Sequence, residues 1–138
     1  MTHEPKAVVD RFLRESRDPA TGEWRLDVIN ECFDVERYFS HTWGAGLVET
    51  GRRMGEFFAA VSQHEMISDV LVAEGAFVVH RASWRAAHVG NVLGVEATGR
   101  TVEFNDVEMW RVENGKIVEH WGGLGEAWHL YEQITADG

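Results

Sequence analysis

One tight turn, Glu113-Asn114-Gly115, constrains the fold of this chain more than any other feature of its sequence. Asparagine tolerates and glycine favours the left-handed backbone that a hairpin turn requires. Residues 101–112 are rich in the β-branched and aromatic side chains that strands favour, and residues 117–124 can return beside them. The pattern therefore predicts a β-hairpin, followed by a short closing helix over residues 126–134.

The length of the turn decides which side chains meet across the hairpin. A three-residue loop with Gly115 as its left-handed bulge residue is a common form, and it pairs Glu108 with His120. A two-residue Asn114-Gly115 loop is the alternative, and it would pair Glu108 with Trp121 instead. We predict the three-residue loop. Because side chains alternate across a sheet, one face then holds Phe104, Asp106, Glu108, Trp110, Val118, His120, Gly122 and Leu124.

The N-terminal part of the chain has apolar residues at helical spacing. This spacing predicts amphipathic helices over about residues 4–16 and 24–33 and a loop over residues 40–50. Thr50 can cap a third helix, whose apolar stripe continues to Val61.

Two further strands are predicted over residues 66–74 and 76–89, before a glycine-rich loop over residues 90–99. Helices followed by an antiparallel sheet indicate an α+β protein. We therefore predict that the N-terminal helices pack on a curved antiparallel or mixed β-sheet, which would enclose a cone-shaped cavity. One face of the longer strand carries His80, Ala82, Trp84, Ala86 and His88.

Length and composition limit the classes of function. A chain of 138 residues fits one domain, spanning residues 1–138, and the net charge of −10 disfavours binding to nucleic acid or to an anionic membrane. Cys32 is the only cysteine, so no internal disulfide is expected. No run approaches the roughly 20 apolar residues of a membrane span, and the first residues lack the apolar core of a signal peptide. A cytoplasmic protein is expected.

Glu108 and His120 are the central candidates for proton transfer. A buried carboxyl group has a raised pKa, and a neighbouring imidazole can exchange a proton with it near neutral pH. The alternative is an ion pair without a chemical role. Asp106 lies on the same predicted face, so two carboxylates can share one proton; an aspartate exposed to water is its alternative. His88 is predicted as a second proton site, or as a residue bonded to the glycine-rich loop.

Large apolar side chains are predicted to line a substrate pocket around these groups. A structural role is favoured for His80, and Cys32 is assigned to the core. A metal site built from His41, His88 and His120 lacks the usual HxH or HxxxH spacing, so no metal is predicted. The predicted lining residues are Phe12, Trp84, Phe104, Trp110 and Leu124.

Short motifs in the second half of the chain form a familiar pattern, made of His88 and Gly90, Thr98-Gly99-Arg100, Arg111, Gly115-Lys116-Ile117 and Trp121. Through these motifs the chain resembles the SnoaL-like polyketide cyclase family of the nuclear-transport-factor-2-like superfamily, over roughly residues 33–134. The resemblance implies a cone-shaped α+β barrel, a homodimer, one deep pocket and no cofactor.

The resemblance also implies roles for individual positions. Cyclases of the family use an aspartate directly after the last-strand tryptophan as general acid/base; that position is Gly122 here, and a second family aspartate falls at Gly125. In the related ketosteroid isomerases, an acidic oxyanion-hole residue falls at Glu108. The family often has a pocket histidine on the loop that holds His41 and Trp43. Both are therefore assigned to the pocket, with an exposed loop as the alternative.

Together these features predict a cofactor-independent acid/base enzyme of the isomerase, dehydratase or cyclase type. Its expected substrate is a small hydrophobic molecule, such as a polyketide, a steroid or a terpenoid. The alternative is a non-catalytic protein of the same fold that binds such a molecule. A homodimer is expected to form through the outer face of the sheet, which carries Phe77, Val79, Arg81, Val107 and Met109.

Overall fold

Four helices and one five-stranded sheet make up residues 4–18, 20–123 and 127–137, which a computed structural model of the protein describes. The helices are α1 (Pro5–Glu15), α2 (Leu26–Cys32), α3 (Leu47–Ala60) and α4 (Ala127–Thr135). The strands are β1 (Phe39–Ser40), β2 (Val61–Glu74), β3 (Phe77–His88), β4 (Thr101–Glu113) and β5 (Lys116–Gly123). The curled sheet and its helices form a cone-like half-barrel, which confirms the predicted α+β fold class.

The sheet is mixed, with the strand order β1-β5-β4-β3-β2. β1 runs parallel to β5, and the other neighbours are antiparallel. No strand was predicted at β1, because the pairing of Phe39 and Ser40 with Glu119 and His120 joins segments that are far apart in the chain. β2 also begins at Val61, earlier than predicted. No helix within the described residues is long and apolar enough to cross a membrane.

The hairpin between β4 and β5 turns in two residues, so the predicted three-residue loop is wrong. Glu113 pairs with Lys116 across Asn114 and Gly115, and the two turn residues have φ values of 50° and 76°. Two successive residues with positive φ form a turn whose twist matches that of the flanking strands, and Asn-Gly is its preferred sequence. The chain therefore adopts the two-residue alternative.

A β-bulge in β5 compensates for the shorter turn. Val112 pairs with Ile117 but Arg111 pairs with Glu119, so Val118 is an extra residue in β5. The bulge allows the consecutive side chains of Ile117 and Val118 both to be buried.

Beyond the bulge, the register is offset by two residues from the predicted one. Trp110 lies opposite His120, and Glu108 lies opposite Gly122. Because side chains alternate with a period of two, an offset of two leaves Glu108, Trp110, His120 and Gly122 on their predicted face. Asp106, Glu108, Trp110 and His120 therefore share the inner face of the sheet.

Two apolar clusters lie between the helices and the inner face. Leu26 at the start of α2 is exposed although it is apolar, and Val28 and Cys32 are the residues of α2 that are buried. The first cluster contains Val9, Val28, Cys32, Phe33, Tyr38, Val78, Trp110, Val112 and Ile117. The second contains Ala60, Val61, Ala86, Val92, Val102, Phe104, Leu130 and Ile134.

Candidate active site

Polar side chains interrupt the apolar inner face where β3 pairs with β4. The two flanking residue pairs adjoin the two apolar clusters, so the polar groups lie at the junction between these clusters. Burial at such a junction removes charged groups from water and makes their protonation sensitive to one another. Along the strand pair, the opposed residues are Val78 and Trp110, His80 and Glu108, Ala82 and Asp106, and Trp84 and Phe104.

Glu108, His120 and Ser40 form a chain of hydrogen bonds on this face. His120 Nε2 lies 3.0 Å from Glu108 Oε1, and its Nδ1 lies 2.8 Å from the hydroxyl oxygen of Ser40. His120 and Ser40 are buried, and the side chain of Glu108 is only 14% exposed. With Glu108 ionised, the Nε2–H of His120 donates to the carboxylate and Nδ1 accepts from the Ser40 hydroxyl. The chain of bonds thus selects one tautomer of the imidazole.

Asp106 lies beside these hydrogen-bonded residues, in the middle of β4. Trp84 donates from Nε1 to Asp106 Oδ1 at 3.2 Å. Burial, and then the negative charge of Glu108, raise the pKa of Asp106 to about 7. Asp106 is therefore not the water-exposed aspartate that the sequence left as the alternative. A carboxyl group with this pKa is populated both as acid and as base near neutral pH, as general acid/base catalysis requires.

Tyr38 is a further polar residue of the site, although no sequence motif indicated it. Its hydroxyl group bonds with Ser40, and its side chain is buried. Burial, and then the charge of Glu108, raise the pKa of Tyr38, so the phenol keeps its proton. A neutral phenol near a reacting group can donate a hydrogen bond.

The sequence favours a structural role for His80, yet His80 lies beside the two carboxylates. One of its ring nitrogens and one carboxylate oxygen each of Asp106 and Glu108 lie within 4.8 Å of one another. Its Nε2 lies 3.0 Å from Asp69 Oδ2 in β2, and Arg14 Nη2 of α1 donates to the same oxygen at 2.6 Å. The signal that could have found His80 is its position in β3, which puts it on the same face as the site.

The ionisation of Asp69 follows from these contacts. Desolvation by burial acts to raise its pKa, but the hydrogen bonds from His80 and Arg14 outweigh this effect and lower the pKa. Asp69 therefore stays ionised and accepts from the Nε2–H of His80.

His88 lies far from Glu108. The residue opposite Glu108 is His80, and His88 lies eight residues further along β3, which is roughly 26 Å of strand. His88 Nδ1 lies 2.9 Å from the Thr98 hydroxyl oxygen and accepts from the Thr98 backbone N–H at 3.2 Å. His88 thus has the alternative arrangement, a bond to the glycine-rich loop.

The predicted lining residues lie in several environments. Trp84, Phe104 and Trp110 are on the inner face around the polar groups, and Phe104 and Trp110 are core residues, only 3% and 2% exposed. The ring of Phe12 meets the ring of Trp110 edge-on at 6.0 Å and packs against the first apolar cluster. Leu124 lies outside the described residues.

His41 faces away from the site, so its assignment to the pocket is corrected. Its ring stacks on Trp121 with 4.8 Å between the centroids, and its Nε2 lies 2.7 Å from Glu119 Oε2. Both partners point to the outer face of β5, because they alternate with its buried residues. Trp43 is half-buried, with the guanidinium of Arg53 5.6 Å from the centroid of its ring.

Gly122, the position of the family aspartate, has no room for a side chain. Its φ is +91°, and a Cβ atom there would collide with the carbonyl oxygen of Val107. Only glycine meets both conditions without a change of the backbone. The position of the second family aspartate, Gly125, lies outside the described residues. The carboxylates of this site therefore come from β4.

A cleft of about 460 Å³ opens at the edge formed by α1 and β2. Arg14 and Asp69 are part of its wall, so the hydrogen bonds to His80 connect this cleft with the inner face. A second concavity, of about 420 Å³, lies on the outer face of the sheet and is lined by Val72, Ala73, Glu74, Phe77, Val79 and Met109.

A model of the SnoaL-like polyketide cyclase family matches residues 8–134. Among solved structures, a proposed SnoaL-like polyketide cyclase from Jannaschia sp. CCS1 has a TM-score of 0.80 and 22% identity, over 97% of this chain and 93% of that one. AclR from Streptomyces galilaeus, a proposed hydroxylase, has a TM-score of 0.71 and 24% identity, over 100% of this chain and 86% of that one. IdmH from Streptomyces antibioticus, a proposed polyketide cyclase, has a TM-score of 0.72 and 22% identity, over 96% of this chain and 99% of that one. At these identities the likeness shows the fold alone. No curated protein matches the chain.

Proposed function

Because the chain belongs to the SnoaL-like polyketide cyclase family, we propose that it is an acid/base enzyme that converts a small hydrophobic molecule without a cofactor. The family supports a cyclase or isomerase type of activity. The observation that carries the proposal is the buried contact between Glu108 and His120, 3.0 Å long, beside Asp106. Two carboxyl groups and an imidazole can divide the roles of acid and base between them.

The chemistry follows from the two carboxyl groups. Ionised Glu108, held by His120, accepts a proton from the carbon next to a carbonyl group. Protonated Asp106 donates a proton to the carbonyl oxygen, on which negative charge develops. The product of these two transfers is an enol. Delivery of the Glu108 proton to another carbon completes an isomerisation, and its delivery to a neighbouring hydroxyl group, which leaves as water, completes a dehydration. Attack of the enol carbon on an internal carbonyl group, whose oxygen takes the Glu108 proton, closes a ring. In each case the enol proton returns to Asp106.

The surroundings of the carboxyl groups support a hydrophobic substrate. Trp84, Phe104 and Trp110 flank the carboxyl groups on the same face, and aromatic surroundings with few polar groups are typical of small-molecule sites. A polyketide-, steroid- or terpenoid-like molecule with a carbonyl or hydroxyl group fits this chemistry. We propose that it binds in a deep pocket between the helices and the inner face.

Proton exchange at carbon tests the proposal without knowledge of the full reaction. The protein is incubated in D2O with a panel of aromatic polyketide, terpenoid and steroid ketones, in the presence of EDTA, and deuterium incorporation next to the carbonyl is followed by mass spectrometry. Glu108→Gln should lower the rate of exchange about 10²- to 10⁴-fold, the usual contribution of a general acid or base. His120→Asn should also lower it, and the two losses should not add, because the residues act as one unit.

Glu119→Gln is the matched control. Glu119 is next to His120 in β5, but it bonds to His41 and Arg111 on the outer face, so its loss should leave the rate unchanged. An undiminished rate in Glu108→Gln would remove Glu108 from the mechanism. Binding of a probe with no exchange in the parent protein would favour the alternative, a non-catalytic binding protein. This alternative is supported by one observation: Gly122, where the family has its aspartate, has no room for a side chain.

We also propose that the protein is a homodimer joined through the outer face of the sheet. Its exposed apolar side chains and the adjoining concavity support this assembly, because an apolar surface of this kind usually meets a partner, and two-fold dimers are the commonest closed assembly. The exposed side chains are Val70, Val72, Phe77 and Val107.

A further inference from the structure

Three electron-donating groups converge at the two polar pairs of the inner face. A ring nitrogen of His80 and one carboxylate oxygen each of Asp106 and Glu108 lie within 4.8 Å of one another. Atoms that bind one metal ion at about 2.1 Å lie at most about 4.2 Å apart, so a small inward movement of these side chains would bring all three atoms within reach of one ion. Imidazole together with carboxylate oxygens is a ligand set that divalent transition-metal ions accept.

The free lone pair of His80 gives independent support for a ligand at this point. Its Nε2–H donates to the ionised carboxylate of Asp69, so an imidazole with one ring proton has its lone pair on Nδ1. Nδ1 is buried and has no hydrogen-bond partner among the residues that the structure describes. The side chain is only 1% exposed, so water does not readily satisfy this nitrogen. An unpaired buried acceptor destabilises the folded protein unless something binds it.

The second partners of the three groups match those of known metal ligands. A metal-bound histidine usually donates its other N–H to a carboxylate, which fixes the ring, and metal-bound carboxylates are themselves hydrogen-bonded. His80 has this arrangement with Asp69. Trp84 donates to Asp106, and Glu108 bonds with His120. In the described part of the chain, no lysine or arginine forms an ion pair with Asp106 or Glu108.

We propose that His80, Asp106 and Glu108 form a binding site for one divalent transition-metal ion, with His80 bound through Nδ1. Zn²⁺ and Co²⁺ suit a mixed nitrogen and oxygen set, whereas Ca²⁺ and Mg²⁺ prefer oxygen ligands alone. The expected order of affinity is Zn²⁺ above Co²⁺ above Mn²⁺. A metal ion and a proton shared by the carboxylates are alternative occupants of the same space, so metal binding should inhibit acid/base activity. The inference does not depend on the proposed function, since binding needs no substrate.

Metal binding is measured on the full chain, purified without a histidine tag and stripped with EDTA. Titration with Co²⁺ is followed by visible absorption, and titration with Zn²⁺ by calorimetry. We expect one ion per chain, and a paramagnetically shifted proton signal from the Nε2–H of His80 that disappears in D2O. Asp106→Asn and Glu108→Gln each remove one ligand and should weaken binding at least about 10-fold, while Asp69→Asn should weaken it about 10- to 100-fold through the second partner of His80.

Glu119→Gln serves as the control here too, because it removes a carboxylate beside a histidine on the outer face and should leave affinity unchanged. Far-UV circular dichroism checks that each variant is folded, and the shifted signal on the parent protein tests ligation even where a variant fails to fold. Absence of Co²⁺ and Zn²⁺ binding at millimolar concentration would overturn the proposal, as would binding that survives both Asp106→Asn and Glu108→Gln. Either result leaves the acid/base proposal standing, because proton exchange is measured in EDTA.

Discussion

Replacing Asp106 by asparagine should abolish most of the loss of stability that the parent protein shows as the pH rises from about 5 to about 8. Burial and the charge of Glu108 raise the pKa of this carboxyl group from 3.8 to about 7. Between these values the folded protein holds a proton that the unfolded chain has released. The contribution of Asp106 to stability is therefore fully present below about pH 4 and is lost as the pH rises towards 7. Asparagine has a similar shape, and its amide oxygen can still accept from Trp84, but it does not ionise.

The size of the effect follows from the two pKa values. A difference of about 3 between the folded and unfolded states corresponds to about 4 kcal/mol at 1.36 kcal/mol for each unit. About 3 kcal/mol of this falls between pH 5 and pH 8, since part of the titration lies outside that range. This is an upper bound, but it is a large share of the 5–15 kcal/mol that stabilises a typical domain.

Urea denaturation of the parent protein and of Asp106→Asn, at about pH 5 and about pH 8 in EDTA, measures the difference. The parent should lose up to about 3 kcal/mol more of its unfolding free energy than the variant does over this range. Glu113→Gln is the control: hydrogen bonds from Arg37 and Arg111 lower the pKa of Glu113, so it titrates below this range. Parallel pH dependence of the parent and Asp106→Asn would refute the reasoning.

Two further predictions concern the backbone and the assembly. Gly122→Ala should lower the unfolding free energy by at least about 2 kcal/mol, because it puts an alanine in a left-handed conformation and its Cβ collides with the Val107 carbonyl oxygen. Gly51→Ala is the control, since Gly51 lies within α3 with open space around it. This substitution should raise the unfolding free energy by about 0.5–1 kcal/mol. Equal effects of the two substitutions in urea denaturation would contradict the conclusion that Gly122 has no room for a side chain. Sedimentation at micromolar concentration should give the mass of a dimer for the parent protein and of a monomer for Val72→Lys on the outer face. Val48→Lys, on exposed α3, should stay a dimer, and a monomeric parent would reject the proposed interface.

Local patterns in the sequence were enough to predict the fold class and the inner face of the sheet. The alternation of side chains along β4 places Phe104, Asp106 and Glu108 on one face, whatever the rest of the chain does, because a period of two belongs to the extended backbone itself. The same periodicity explains why the contact between Glu108 and His120 was found from a loop of the wrong length. The shorter turn and the bulge together shift the register by two, which preserves the face.

The tertiary structure alone decided which groups from distant segments meet at that face. Ser40 reaches His120 through a parallel pairing of only two residues, and Asp69 reaches His80 from the neighbouring strand β2. His41 turns outward because β1 brings it to Trp121 and Glu119. None of these contacts has a local signature, since residues far apart in the chain are brought together by packing and by pairing across the sheet. The sequence thus determined the elements and the direction of their side chains, and the arrangement of these elements in space determined the site.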